Sequence, residues 1–127
     1  MRFEIKNKTA YYGSGSGASE DGQPIVFIHG AGFDHTVWVL PARYFARKGF
    51  RVIALDLPGH GRSEGPALTS VEAMSDWIVE VSETLALQDL VVVGHSMGSL
   101  VAYCLAVQKP DLVDKMALLG PSSPMPV

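Results

Sequence analysis

The stretch Leu90-Val91-Val92-Val93-Gly94-His95-Ser96-Met97-Gly98 decides the fold of this chain of 127 residues. Its first four residues are apolar and predict a buried strand, while the residues after Gly98 have the periodicity of a helix. A Gly-x-Ser-x-Gly sequence between a strand and a helix is typical of a nucleophile elbow, a tight turn that holds the serine in a strained backbone conformation. The alternative is a serine that caps a helix after a glycine turn. Because both glycines and both flanking elements are present, we favour the nucleophile.

The elbow places two groups where acyl chemistry needs them. Gly94 and Gly98 have no side chains, so the strand and the helix can approach closely. The turn then raises the Ser96 hydroxyl above the sheet, and the Met97 amide at the start of the helix can face a developing oxyanion. The sequence therefore predicts Ser96 as a catalytic nucleophile and Met97 as an oxyanion donor.

Upstream of the elbow, residues 24–28 predict a second buried strand, which is followed by His29-Gly30-Ala31-Gly32-Phe33. In this segment, called the glycine loop below, the glycines would let backbone amides turn inward beneath a substrate. An ordinary connection between a strand and a helix explains the same residues equally well. A helix is expected over 36–48, with Gly49 as its C-cap. Its candidate buried positions are Trp38, Leu40, Tyr44 and Phe45.

The N-terminal residues predict two short strands, because Phe3 and Ile5 alternate with charged residues and Tyr11-Tyr12 follow. We expect these strands to pair antiparallel at one edge of the sheet. Residues 13–22 are rich in glycine and serine and predict a flexible polar loop. A phosphate-binding loop is disfavoured there, since no strand-to-helix junction surrounds the glycines.

The second half of the chain alternates between strand and helix patterns. Residues 51–55 predict a buried strand, and Thr69 and Glu72 form a capping-box pattern that predicts the start of a helix. Downstream of the elbow, a helix over 97–109 is apolar on most sides, as in a buried central helix, and a last strand falls within 113–119. The core positions predicted for the helix after Thr69 are Met74, Trp77, Ile78, Val81 and Leu85.

This alternation predicts a single α/β domain over residues 1–127, in which helices on both faces cover a mostly parallel sheet. In such three-layer folds, ligands bind beyond the carboxyl ends of the strands. His29-Gly30, Asp56 and Ser96 all fall at such ends. We therefore expect one candidate site at one rim of the sheet.

Composition and charge exclude several classes of partner. The formal net charge of −3 leaves no basic footprint for nucleic acid. The first six residues lack the apolar core of a signal peptide, and no apolar run is long enough to cross a membrane. The single cysteine, Cys104, fits a reducing compartment. We expect a cytoplasmic protein without nucleic-acid or membrane partners.

Three stretches together resemble the α/β-hydrolase superfamily: the glycine loop, Asp56-Leu57-Pro58-Gly59-His60-Gly61-Arg62-Ser63, and Gly94-His95-Ser96-Met97-Gly98. They are most similar to the branch of cofactor-free esterases, haloperoxidases and acyl hydrolases. A serine stands where the haloalkane dehalogenase and epoxide hydrolase branches have aspartate. The resemblance implies a hydrolase of carboxylic esters or related small acyl compounds that uses no cofactor and no metal.

The resemblance also implies roles for individual residues. Ser96 would be the nucleophile, and the amides of Ala31 and Met97 would form the oxyanion hole. The loop over 56–63 would be largely structural and would hold the rim together. The supporting residues would be His29, which braces the glycine loop, Gly30, and His95, which packs beside the nucleophile.

The catalytic acid and base of the superfamily have no counterparts here. No histidine follows His95, and Gly120-Pro121-Ser122 lacks a carboxylate where some family members carry the acid. The chain therefore resembles the N-terminal half of the family, up to about the sixth strand, and we expect little or no turnover from it alone. His35 and His60 are the alternatives for a base within the chain. The competing interpretation is a catalytically silent half-domain that self-associates.

The last predicted strand bears on self-association. In the strand order of the superfamily the strand over 113–119 is internal, so a half-domain would have it at an edge. Met116-Ala117-Leu118-Leu119 carries no charge and no proline that would hinder pairing with another strand. The sequence therefore predicts a homodimer, or a higher closed oligomer, in which this strand meets its twin.

Overall fold

The computed structural model describes residues 1–17 and 20–120. Parts of the predicted polar loop, and the residues after Gly120, lie outside these ranges. The strands are β1 (Arg2–Ile5), β2 (Lys8–Gly13), β3 (Pro24–Ile28), β4 (Arg51–Asp56), β5 (Leu90–His95) and β6 (Val113–Leu119). The helices are a 3₁₀ turn (His35–Trp38), α1 (Val39–Arg47), α2 (Val71–Thr84) and α3 (Met97–Gln108).

One sheet of six strands has the order β1-β2-β4-β3-β5-β6. The strands β3 to β6 are parallel, and the β1–β2 hairpin joins the edge beside β4 in antiparallel pairing. At the centre, Val26 pairs with Ile53 on one side and with Val92 on the other. The predicted mostly parallel α/β sheet, with an antiparallel hairpin at its edge, is confirmed.

Successive residues of the central strands point to opposite faces, so the sheet has a core on each side. On one face, Ile25 and Phe27 pack with Trp38 and Ala42 of the 3₁₀ turn and α1. On the other face, Val26 and its neighbours pack against α2 and α3. The predicted α2 positions lie on that face, with Met74, Ile78 and Val81 buried and Trp77 and Leu85 half-buried. The three layers predicted from the sequence are therefore present.

The helix expected over 36–48 differs from the structure in three ways. A 3₁₀ turn precedes α1, and the predicted core positions Leu40 and Tyr44 are 76% and 54% exposed. Trp38 and Ala42 are buried on the sheet side. Because Leu40 and Tyr44 lie about half a turn from that side, they point into solvent. The C-cap of α1 is Lys48 and not the predicted Gly49, which follows it with φ of +90°.

Two other expectations for helices are wrong. The N-cap of α2 is Ser70 and not Thr69, because the Ser70 side chain accepts a hydrogen bond from the Ala73 amide at 3.0 Å. The α3 helix is not covered on all sides, since Tyr103 and Val107 are 55% and 63% exposed.

None of the helices within the described ranges combines the length and the apolar character that a membrane span needs.

Candidate active site

Ser96 lies between the end of β5 and the start of α3, with φ of 56° and ψ of −121°. Only glycine fits two residues before Ser96 and two residues after it. A Cβ atom at Gly98 would overlap the Ile28 carbonyl oxygen, and one at Gly94 would overlap the Gly98 carbonyl oxygen. The backbones of β3, β5 and α3 are therefore in direct contact around Ser96. A positive φ at a serine costs about 1–3 kcal/mol, so the conformation persists only because this contact holds the turn in place.

Hydrogen bonds to both peptide groups of Ser96 fix the turn further. Its amide donates to the Leu119 carbonyl at 3.0 Å, which ties the elbow to the end of β6. Its carbonyl accepts from the Ser99 amide at 2.9 Å and from the Ser99 hydroxyl at 2.6 Å. Ser99 is buried, and the sequence analysis did not identify it. Its position three residues into the turn, as a polar residue in an otherwise apolar helix, was the available signal.

The glycine loop lies directly against this turn. A Cβ atom at Gly30 would be 3.3 Å from the Ser96 Cβ atom, and the Phe33 amide donates to the Gly30 carbonyl at 3.2 Å. Ala31 is an exposed residue of this turn. Met97 is the first residue of α3, so its amide has no acceptor within the helix. The fold thus brings the loop that carries Ala31 beside the elbow that carries Met97.

His29 joins the glycine loop to the end of β4. Its Nδ1 donates to the Gly30 carbonyl at 2.7 Å, and its Nε2 accepts from the Leu57 amide at 3.0 Å. These two bonds require the neutral imidazole with the proton on Nδ1. The ring is fully buried, and burial lowers its pKa from the ordinary value, although the Gly30 carbonyl acts in the opposite direction.

His95 has an exposed position at the end of β5. Its ring meets the Trp38 ring edge to face, with 6.4 Å between the ring centroids. Gly120 lies on the same ring, since a Cβ atom there would be 3.8 Å from Nε2. Within the described residues, the buried Nε1 of Trp38 has no hydrogen-bond acceptor.

The two other histidines are engaged elsewhere on the rim. His35 donates from its amide and from Nδ1 to Asp56 Oδ1, at 2.7 and 2.8 Å. His60 donates from Nδ1 to the Pro58 carbonyl at 3.1 Å, and its ring centroid lies 5.0 Å from that of His29. In the described part of the chain, no imidazole forms a hydrogen bond with the Ser96 hydroxyl.

Asp56 organises the loop that follows β4. Its fully buried carboxylate also accepts from the Arg62 amide at 2.9 Å, and its carbonyl accepts from the Ser63 hydroxyl at 2.7 Å. The Tyr11 amide in turn donates to the Ser63 hydroxyl at 3.0 Å. This arrangement agrees with the structural role expected for the loop over 56–63.

Asp34, His35 and Asp56 could each offer one ligand atom to a metal ion, since these atoms lie within 4.8 Å of one another. Hydrogen bonds already account for all three groups. Asp34 accepts from the hydroxyl and the amide of Thr36, which lower the pKa of its carboxyl group. Asp56 accepts from His35 and Arg62. We therefore assign the cluster to loop structure.

Comparisons with known proteins agree with this geometry. The family model for the alpha/beta hydrolase fold matches residues 23–127. The chain is 40% identical over 115 residues to (E)-2-((N-methylformamido)methylene)succinate hydrolase of Acinetobacter baylyi, which covers 90% of this chain and 42% of that protein. This chain thus spans about two fifths of the length of that relative.

Two solved structures are similar as well. A membrane phospholipase A, described as a bacterial virulence factor, is 29% identical with a TM-score of 0.90, over 100% of this chain and 41% of its own. Est816, an enzyme that degrades N-acyl homoserine lactones, is 32% identical with a TM-score of 0.82, over 95% of this chain and 45% of its own. Sequence match, sheet order and elbow geometry agree: the chain belongs to the alpha/beta hydrolase fold family.

Proposed function

We propose that this chain is the nucleophile-bearing part of a serine hydrolase that cleaves carboxylic esters or related acyl compounds. The observation that carries the proposal is the strained backbone of Ser96, with φ of 56°, at the junction of β5 and α3 beside the glycine loop. Strain of this kind at a polar residue is typical of functional sites. Relatives that hydrolyse an N-methylformamido compound and degrade N-acyl homoserine lactones favour acyl chemistry.

In the proposed reaction, the Ser96 Oγ atom attacks the carbonyl carbon of the substrate. Negative charge develops on the carbonyl oxygen, and the amides of Ala31 and Met97 would stabilise it. The leaving group departs with a proton, and water then hydrolyses the acyl-serine ester. The Oγ proton needs a base within hydrogen-bond reach. Because no described imidazole forms a hydrogen bond with Oγ, the base and its acid partner would come from a segment outside this sequence or from another chain.

Hydrolysis of p-nitrophenyl acetate tests the proposal. The measurement is made on the 127-residue chain and on the complete product of its gene, each beside its Ser96→Ala variant. We expect turnover that depends on Ser96 in the complete protein and turnover near background in the 127-residue chain. Equal turnover in the complete protein and its Ser96→Ala variant would contradict the proposal.

A second candidate is a catalytically silent half-domain that self-associates. Two observations favour it: apolar residues of β6 are exposed, and no described imidazole forms a hydrogen bond with the Ser96 hydroxyl. A fluorophosphonate probe tests the silent half-domain on this chain. Slow labelling of Ser96, or none, is expected from both candidates because neither has a base in this chain, whereas rapid stoichiometric labelling excludes silence. If a His60→Ala change abolished labelling or activity, His60 would be the base after all.

A further inference from the structure

Both ends of the glycine loop are fastened to the same place, the end of β4. At the first residue of the loop, the Leu57 amide donates to His29 Nε2 at 3.0 Å. After the loop, the amide and the Nδ1 atom of His35 both donate to Asp56 Oδ1, at 2.7 and 2.8 Å. The loop that carries the Ala31 amide is thus held by Asp56, the last residue of β4, and by Leu57, the residue after it.

Asp56 is suited to be the fixed end of this second attachment. Its carboxylate is fully buried, and its other oxygen accepts from the Arg62 amide at 2.9 Å. A buried carboxylate that accepts three N–H bonds has a single favourable orientation, because each lost bond would leave a charge poorly solvated. The position of the Asp56 carboxylate therefore determines where His35, at the end of the loop, lies.

The His35 ring is confined from two further directions. Its centroid lies 5.0 Å from that of the Tyr11 ring. A Cβ atom at Gly13 would be 3.0 Å from His35 Cδ2, which is closer than ordinary van der Waals contact. The Gly13 backbone therefore lies beside the ring, and the bond from Nδ1 to Asp56 and the Tyr11 contact restrict its orientation further.

We propose that His35 is a positioning residue for the candidate site. Through Asp56 it fixes the far end of the glycine loop, and so it sets where the Ala31 amide lies relative to Ser96. Oxyanion donors act only within about 2.7–3.1 Å of the oxyanion, so a small shift of the loop weakens them. The inference rests on the proposed function for its effect on catalysis, whereas its effect on the loop can be measured without any activity.

Amide hydrogen exchange, followed by mass spectrometry on this chain, tests the loop directly. We expect His35→Phe, whose side chain cannot donate to Asp56 although its backbone amide still can, to raise exchange in residues 30–34 by about tenfold or more while β3 stays protected. His35→Asn is the matched control, because its side-chain amide can donate near the Nδ1 position; its exchange should stay within about threefold of the wild type. Equal exchange in the wild type and His35→Phe would overturn the proposal.

A second variant keeps the test informative if His35→Phe fails to fold, which loss of protection in β3 would reveal. Gly13→Ala leaves His35 in place but pushes its ring from one side. We expect an intermediate rise in exchange, confined to residues 30–35. No rise in a folded Gly13→Ala variant would count against the proposal.

The catalytic consequence is measured on the complete protein. His35→Phe should lower kcat for p-nitrophenyl acetate by about 10- to 100-fold with KM within about threefold, because an oxyanion donor acts in the transition state. His35→Asn should restore most of the loss. If the wild type is active and His35→Phe matches it, the positioning role is wrong. If the wild type shows no turnover that depends on Ser96, the proposed function fails, and hydrogen exchange still decides the positioning role.

Discussion

The carbonyl oxygen of Ile28 occupies the space that a side chain at Gly98 would need. The last residue of β3 and the first turn of α3 therefore touch backbone to backbone. This contact holds the Ser96 turn in its strained conformation and places the start of the glycine loop beside it. Residue 98 must be glycine because β3 and α3 approach so closely there. Its own backbone conformation does not require glycine, since its φ is not positive.

Gly98→Ala should lower the free energy of unfolding by about 3 kcal/mol or more, because neither backbone can yield without breaking the turn. Urea unfolding, followed by circular dichroism, measures it. Gly32→Ala is the control: its Cβ atom would meet nothing within 4 Å, although φ is +79°. The control should cost only about 1 kcal/mol, as expected for an alanine at positive φ. Similar losses in the two variants would show that crowding at the elbow is not decisive.

The elbow could be predicted from the sequence because every requirement for it is local. The glycine spacing, the apolar run before it and the helical pattern after it all lie within one short segment. The buried face of α1 could not be predicted in the same way. Leu40 and Tyr44 are large and apolar or aromatic, which favours burial, but they lie about half a turn from Trp38 and Ala42 on the sheet side and point into solvent.

Contacts between distant residues account for the rest of what was missed. His35 and Asp56 are 21 residues apart, and no pattern in the sequence pairs them. Sequence analysis placed Asp56 at the correct rim because the carboxyl ends of parallel strands coincide. It could not show that the carboxylate closes the glycine loop, since that depends on how the 3₁₀ turn packs against β4. The roles of Ser96, Ala31 and Met97 remain predictions.

The stability of the fold should depend on the protonation of His29. Burial lowers the pKa of this imidazole below the ordinary value of about 6.5, which the unfolded chain retains. Between these two pKa values the unfolded chain binds a proton that the folded chain excludes. The free energy of unfolding should therefore rise with pH through this window, and the contribution of neutral His29 is lost as pH falls below about 6.5.

Urea unfolding between about pH 5 and about pH 7 measures this dependence. In His29→Gln an amide oxygen can still accept from the Leu57 amide, but the side chain does not titrate. We expect a smaller rise in the free energy of unfolding with pH for this variant than for the wild type. Because all other titrating groups are common to both proteins, an identical rise would exclude His29 as its source.

Ala31→Pro tests the oxyanion donor of the glycine loop. Proline has no amide hydrogen, so in the complete protein we expect kcat to fall by about 100- to 1000-fold while KM changes little. Ala31→Ser keeps the amide and should retain nearly full turnover. Circular dichroism establishes that both variants are folded. Unchanged turnover in a folded Ala31→Pro variant would move the donor to another amide, with Gly32 as the next candidate.

The last prediction concerns β6, which lies at the end of the sheet opposite the hairpin. Its outer backbone groups have no partner strand among the described residues. Met116, Leu118 and Leu119 on this strand are 42%, 36% and 46% exposed. An unprotected apolar edge favours pairing with another strand. A two-fold axis through the edge would let β6 of one copy pair antiparallel with β6 of a second copy, which covers the exposed edges of both copies.

We therefore expect the 127-residue chain to form a homodimer at micromolar concentration, as measured by sedimentation or light scattering. Leu118→Lys should convert it to a monomer, because pairing would bring two lysines close to the shared axis and desolvate them. Leu40→Lys is the matched control: this residue is 76% exposed on α1, away from β6, and its variant should remain dimeric. A monomeric wild type, or a dimer that survives Leu118→Lys, would contradict pairing through β6. An aggregate without a fixed size would contradict a specific interface, since two-fold pairing closes at two copies.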